Sequence, residues 1–263
     1  MTTPESLTTT ERTTADALYQ AYTTQQPLLM ADYTGKLTDY DSAYRTQWAF
    51  TENKHESVGG YKVSLTSEET QKMFDSDSPF YGVETAKCWL TSGSQVPLSD
   101  LMAPLLEVEL VFTATQALTP EDDLPDLLCK TTVAGAVELP DSRFKDWFPE
   151  LNKYLVVADS AVAGRVVYGQ DTDAALTPDD LATVNATLTR NGEELGHGAS
   201  SEVLGNPLNS LKWLVGKLAA QGHDFPAGTR VSSGTFLLPP HATKGDYVAH
   251  FDKFFPDVTF TLK

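Results

Sequence analysis

Two glutamates one residue apart are the first residues in this chain whose types and spacing suggest chemistry. In Leu106-Glu107-Val108-Glu109-Leu110-Val111-Phe112 the acids alternate with apolar side chains. In a β-strand, residues two apart project to the same side, so Glu107 and Glu109 share one face while Leu106, Val108, Leu110 and Phe112 take the other. Like charges at that spacing repel, and a bound cation relieves the repulsion. Hard ions such as Mg²⁺ take oxygen ligands and retain waters, which leaves coordination positions for a substrate. Alternating glutamates are equally ordinary on a solvated strand face, so the pair alone leaves both readings open. A third carboxylate, Glu138, sits among small and apolar residues in Gly135-Ala136-Val137-Glu138-Leu139-Pro140-Asp141-Ser142-Arg143, where Arg143 is an alternative partner.

These residues need elements to hold them. Alternation predicts strands over Tyr61 to Thr66, Leu106 to Phe112 and Ala136 to Leu139, with a third apolar strand at Leu155 to Ala158 and short strands near Arg230 to Ser233 and Val258 to Leu262. Helical spacing pairs Leu18 with Tyr22 and Tyr44 with Trp48, giving two N-terminal helices. Thr66 and Glu69 form a capping-box pattern, and Thr119-Pro120-Glu121 reads as a further helix start. Asn191-Gly192 between Leu181 to Arg190 and Glu193 to Leu195 is a hairpin signal, and Asn206-Pro207 opens an amphipathic helix through Leu218. The Thr-rich start, residues 1–13, reads as a flexible lead-in, with order from about Thr14 and one mixed domain over 14–263.

Taken together, Pro104 to Phe112 and Val137 to Arg143 resemble, in order and separation, the paired signatures of the 2-keto-4-pentenoate hydratase branch of the fumarylacetoacetate hydrolase superfamily. Gly60-Tyr61-Lys62-Val63-Ser64-Leu65-Thr66-Ser67, Ala158-Asp159-Ser160-Ala161, Val203-Leu204-Gly205-Asn206-Pro207-Leu208 and Val231-Ser232-Ser233-Gly234-Thr235 resemble further segments of the same branch, from about Ala43 to the C-terminus. The resemblance implies an α+β fold, a mixed β-roll or sandwich with N-terminal helices packed against it. It implies that Glu107, Glu109 and Glu138 hold Mg²⁺ or Mn²⁺ and that Lys62 faces a small 2-oxo acid substrate. A lysine desolvated beside that cation is expected to have a lowered proton affinity and to shuttle protons. Ser233 and Thr235 are candidates for binding the substrate carboxylate or for a structural turn, Ser142 for a ligand hydrogen bond or a local backbone cap, and Asp159 for orienting the site or, equally, for a buried structural hydrogen bond. A homodimer or larger homo-oligomer, with or without a partner enzyme of the same pathway, is also implied.

The resemblance breaks at three positions. Phe80 stands in Pro79-Phe80-Tyr81-Gly82 where relatives commonly carry an acid, Ser64 where a glycine is usual, and Ser160 where an Asn is common. The expected activity is hydration of a 2-hydroxydienoate or related 2-oxo acid. Decarboxylation of a 2-oxo dioic acid such as 4-oxalocrotonate, hydrolytic carbon-carbon cleavage and a catalytically silent subunit of the same fold are the alternatives. The five histidines are scattered and read as surface or structural, and Phe251, Phe254 and Phe255 as core or subunit contact. A formal charge of -17 opposes binding to nucleic-acid phosphates. Cys88 and Cys129 match no paired ligand spacing and read as reduced thiols. With no apolar run of membrane-spanning length and no basic-apolar leader pattern, the expected location is the cytoplasm.

Overall fold

The first helix, α1 (Thr9–Thr24), begins at a capping box in which Thr8 and Glu11 exchange side-chain to backbone hydrogen bonds. Glu11 is also buried against Arg45, 2.6 Å away on α2 (Tyr40–Asn53). Those two contacts explain why order starts before the expected Thr14. The computed structural model describes residues 7–263, so the rest of the expected lead-in lies outside the described residues.

Beyond these two helices come β1 (Val58–Ser64), α3 (Glu68–Met73), β2 (Phe80–Thr85), β3 (Trp89–Thr91), β4 (Ser94–Val96), β5 (Glu107–Ala114), α4 (Leu124–Cys129) and β6 (Thr131–Leu139). The remainder is α5 (Lys153–Ala158), β7 (Arg165–Asp171), α6 (Pro178–Leu181), β8 (Asn185–Arg190), β9 (Glu193–Ala199), α7 (Pro207–Ala220), β10 (Arg230–Ser232), β11 (Gly245–Phe251) and β12 (Val258–Leu262). A seven-stranded mixed sheet runs β2-β1-β10-β5-β6-β7-β3, and a five-stranded sheet runs β4-β12-β11-β8-β9. The first sheet curls. A methyl group added at Gly60 on β1 would meet both the Arg230 carbonyl on the adjacent β10 and the ring of Trp89 on the far edge strand.

One face of this sheet carries most of the core. Tyr61, Val63, Val108, Leu110, Val137 and Val167 pack there against the helices and the second sheet. From α7, buried Leu208, Leu211, Leu214 and Leu218 join them, each stabilising the fold by roughly 1.5–3 kcal/mol. Phe251 and Phe255 lie in this core, with the Phe251 ring over Gly135. The opposite, inner face holds the carboxylates and a small cluster of Cys88, Trp89, Val111, Ala136 and Val166. Both cysteines are free thiols.

Three local expectations are corrected. Leu155 to Ala158 is helical, within α5, because Asn152 accepts from the Tyr154 amide and opens a turn; a four-residue apolar run does not distinguish strand from helix. The α3 capping box is Ser67 with Thr70, one residue on from Thr66 and Glu69. At Thr119 the carboxylate of Asp122 accepts from the Thr119 amide and closes a turn, and the helix waits for its cap at Asp123. The Asn191-Gly192 hairpin forms as expected, with both residues at positive φ. Among the described residues no helix is long and apolar enough to cross a membrane.

Candidate metal centre and active site

Strand register builds the centre. Glu107 on β5 pairs directly with Glu138 on β6, and Glu109 lies two residues along the same face. One carboxylate oxygen from each of the three lies within 4.8 Å of the others. Glu109 and Glu138 are fully buried, whereas Glu107 keeps 17 % of its side chain exposed. Lys62 enters from β1, whose neighbour β10 bridges to β5. Its ammonium is 2.6 Å from Glu138 Oε1 and 3.7 Å from Glu107 Oε2.

Electrostatics set the state of this cluster. Burial alone would lower the proton affinity of Lys62, but Glu138, Glu107 and Glu109 outweigh it and hold the lysine above its ordinary value. The lowered affinity expected from sequence belongs to a centre loaded with a cation, whose charge would offset these carboxylates. Burial raises Glu138 to about 7, with Lys62 opposing and Glu107 adding to the rise. Burial likewise raises Glu109, reinforced by Glu138 and Glu107, and raises Glu107 against the pull of Lys62.

The cluster has more negative charge than Lys62 can match, and it has unused acceptors. Glu109 Oε1 and Glu138 Oε2 accept no hydrogen bond among the described residues. Buried acceptors are rarely left this way without an ion or water to serve. Three convergent carboxylates with free oxygens fit a hard divalent cation. The remaining oxygen of Glu109 is fixed by Ser232 Oγ at 2.5 Å and by the Gly234 amide at 2.8 Å. Gly234 adopts φ +114°, and a methyl group there would strike Thr66.

The centre opens into a cavity of about 670 Å³, its mouth included, whose wall contains Lys62, Glu107 and Thr235. Thr235 thus lies on the cavity wall, with its hydroxyl donating to the Leu237 carbonyl. Ser233 does not. It faces away, exchanging hydrogen bonds with the Leu110 backbone, and its neighbour Ser232 takes the place at the ligands. Strand parity carries the signal: Val231 is core, so Ser232 must share the opposite face with Lys62 and Glu109.

Ser142 and Asp159 are not beside the substrate cavity but buried away from its wall in a network of their own, which is the structural alternative of the two readings open for each. Asp159 accepts from Ser142 Oγ at 2.7 Å, from the Arg143 amide at 2.8 Å and from Arg143 Nε. The same guanidinium donates to the Asp159 and Ala163 carbonyls. This network pins Ser160, Ala161 and Val162, three consecutive residues at positive φ. The turn passes so close to β2 that a methyl at Gly82 would fall 1.9 Å from the Ser160 carbonyl oxygen, and it delivers Val162 to the cavity wall.

Phe80, at the position expected to be acidic, is buried and packs on Tyr40. Two residues beyond Gly82, and on the same face of β2, Glu84 is fully buried with neither oxygen hydrogen-bonded. Burial and Glu138 push it well above the ordinary carboxylate value. Sequence reading missed Glu84, although the alternation that pairs Lys62 with Gly82 also pairs Gly60 with Glu84.

No family model matches the chain. It is 35 % identical over 201 residues, 75 % of each chain, to 2-keto-4-pentenoate hydratase of Burkholderia vietnamiensis. It is 30 % identical, over 80 % of each chain, to a 4-oxalocrotonate decarboxylase of Pseudomonas putida. A solved structure of 4-oxalocrotonate decarboxylase from Pseudomonas putida G7, complexed with magnesium and adipate, superimposes with a TM-score of 0.88 at 25 % identity, covering 96 % of this chain and 97 % of that one. A fumarylpyruvate hydrolase from Pseudomonas aeruginosa shares the fold at a TM-score of 0.58 and 13 % identity, over 77 % of this chain and 88 % of that one.

Proposed function

This chain belongs to the 2-keto-4-pentenoate hydratase branch of the fumarylacetoacetate hydrolase superfamily, and from that premise we propose that it is a divalent-metal-dependent hydro-lyase acting on a 2-hydroxydienoate. The observation that carries the reading is the meeting of three carboxylate oxygens within 4.8 Å, beside a buried lysine, at the wall of a cavity. Glu107, Glu109 and Glu138 would hold the ion, Mg²⁺ or Mn²⁺. Such an ion supplies Lewis-acid stabilisation of the negative charge on a 2-oxo carboxylate as it enolises.

Everything else falls to the protein. Ser232 and the Gly234 amide orient Glu109, so that its other oxygen is turned to the centre. Lys62, whose ammonium lies 2.6 Å from Glu138, would give a proton to C5 at the far end of the diene while the 2-hydroxyl loses its proton to water, from which Lys62 is recharged; the product is the conjugated 2-oxo-3-enoate. Water then adds across that double bond, its oxygen to C4 and its proton to C3. The apolar wall excludes bulk water from competing positions.

Decarboxylation of a 2-oxo dioic acid is the second reading, favoured by the likeness to 4-oxalocrotonate decarboxylase over nearly the whole chain. Purified protein with Mg²⁺ and 2-hydroxypenta-2,4-dienoate separates the readings. Hydration consumes the diene absorbance without releasing carbon dioxide. Gas release from a dioate supports decarboxylation, and no change with either substrate supports the silent subunit. The same family reading supports a homodimer or larger homo-oligomer, which sedimentation of the purified chain checks.

A further inference from the structure

The far wall of the cavity says what the other end of the substrate must be. Resting on the hydro-lyase reading above, we infer that the site takes a monoanionic 2-hydroxydienoate whose end remote from the carboxylate is an uncharged, apolar group, and that it rejects dioates. Away from Lys62 and Glu107 the wall is built by Leu65, Met73, Phe74, Trp147, Phe148 and Leu238, among others. Lys62 is the single cation on it, and that charge is engaged by Glu138 and Glu107. The hydroxyls of Ser67, Thr70 and Thr235 already bond within the protein. Ser64 and Thr66 add only neutral groups.

Among the described residues, the other cations on the elements around the cavity are turned to solvent or already paired; Lys145, two residues before Trp147, is exposed and lies 4.0 Å from Asp146. Arg143 is buried and spent on Asp159. Lys153 is paired with Asp75, and Lys72 on α3 points to solvent beside Glu68. The same stretch carries Glu68, Glu69, Asp75 and Asp77, so a dianion approaching along α3 meets repulsion. A carboxylate moved into such surroundings without a partner is strongly disfavoured.

The apolar surface also continues outward. Of the four large hydrophobic side chains exposed among the described residues, Met73 and Leu238 both border this cavity. Exposed apolar groups gathered at a cavity mark a binding surface more often than chance scatter does. They continue the apolar wall to the rim of the cavity, where an alkyl or aryl substituent would lie.

The test uses the Mg²⁺-loaded protein and matched substrates. Steady-state kinetics with 2-hydroxydienoates ending in methyl, propyl or phenyl are compared with the equivalent ending in carboxylate. KM is expected to fall about fourfold per added methylene while the wall is being filled, and the dioate should have a kcat/KM lower by at least about a hundredfold. Leu238→Arg, at the rim where folding is not at stake, should narrow that gap by improving the dioate and weakening the alkyl substrates. Equal or better turnover of the dioate by the unaltered protein overturns the inference while leaving the metal-site reading in place. If no substrate turns over, calorimetry on the Mn²⁺-loaded protein decides with unreactive ligands: 2-oxooctanoate binding much more tightly than 2-oxoadipate supports the wall reading even though hydration has failed. Tighter binding of 2-oxoadipate, or binding of neither, rejects it.

Discussion

At the scale of single residues, the centre divides into groups that hold the ion, one that orients a holder and one that handles protons, and each has a separable signature. Glu107→Gln or Glu138→Gln removes a charged ligand from a set of three, and titration with Mn²⁺ should show affinity reduced at least about a hundredfold with the circular dichroism spectrum retained. Unchanged titrations in both variants would reject the site. Ser232→Ala leaves every ligand present but frees Glu109 from its 2.5 Å hydrogen bond. A loss of about ten- to a hundredfold in metal affinity is expected, from the usual effect of removing a group that orients a ligand, and an unaltered affinity would reduce Ser232 to packing. Lys62→Met removes the counter-charge of Glu138 and Glu107 without touching a ligand. Metal binding should persist while kcat falls by roughly 10²- to 10⁴-fold, the ordinary contribution of a positioned proton donor; wild-type kcat in that variant would take Lys62 out of the chemistry.

Elements explain both what could be read in advance and what could not. The alternation of Leu106 to Phe112 showed which residues of β5 share a face, and the same rule would have singled out Ser232 over Ser233 had the parity of β10 been followed from Val231. Periodicity says nothing, however, about which strands are neighbours, so the pairing of Glu107 with Glu138 came only from resemblance until the register was seen. Asp159 was legible as a residue with a task and illegible as to which one, because its partner Arg143 and the left-handed turn at Ser160 to Val162 are tertiary facts. That turn explains the family segment in physical terms. It crosses β2 at Gly82 and sets Val162 on the cavity wall, held by the Asp159–Arg143 network together with the backbone bond from the Asp141 amide to the Val162 carbonyl. Asp159→Asn breaks a buried ion pair on one side and strands the guanidinium. Chemical denaturation should show a loss of about 3–5 kcal/mol, with metal affinity in the still-folded fraction little changed. A mild destabilisation accompanied by a large rise in KM would instead return Asp159 to the substrate.

The whole molecule combines a large negative charge with carboxylates buried at its centre, so its stability must depend on pH and metal together. Glu84, Glu107, Glu109 and Glu138 all have proton affinities raised in the folded state, as have Asp141 and Asp159. A raised acid contributes stability that is fully present below its unfolded value and is lost as pH rises through the folded one. For Glu138 that window runs from 4.5 to about 7. The depressed acids, Glu11, Glu56, Asp122, Asp180 and Asp252, complete their opposite contribution below the same window. Lys62, raised from 10.5, changes nothing between pH 5 and 8, and His223, lowered from 6.5 by burial, opposes the six raised acids as a single group whose contribution grows as pH rises. Metal-free protein in chelator should therefore melt lower at pH 8 than at pH 5, by on the order of 5 °C. A divalent ion competes with protons for the same oxygens, so the gain in Tm on adding Mg²⁺ or Mn²⁺ should grow across that range and invert the order. Scanning calorimetry over pH 5 to 8, with and without metal, checks both slopes. A metal increment that does not vary with pH would mean that the ion binds away from Glu107, Glu109 and Glu138, since no other set of three convergent ligands is present among the described residues to bind it at the centre.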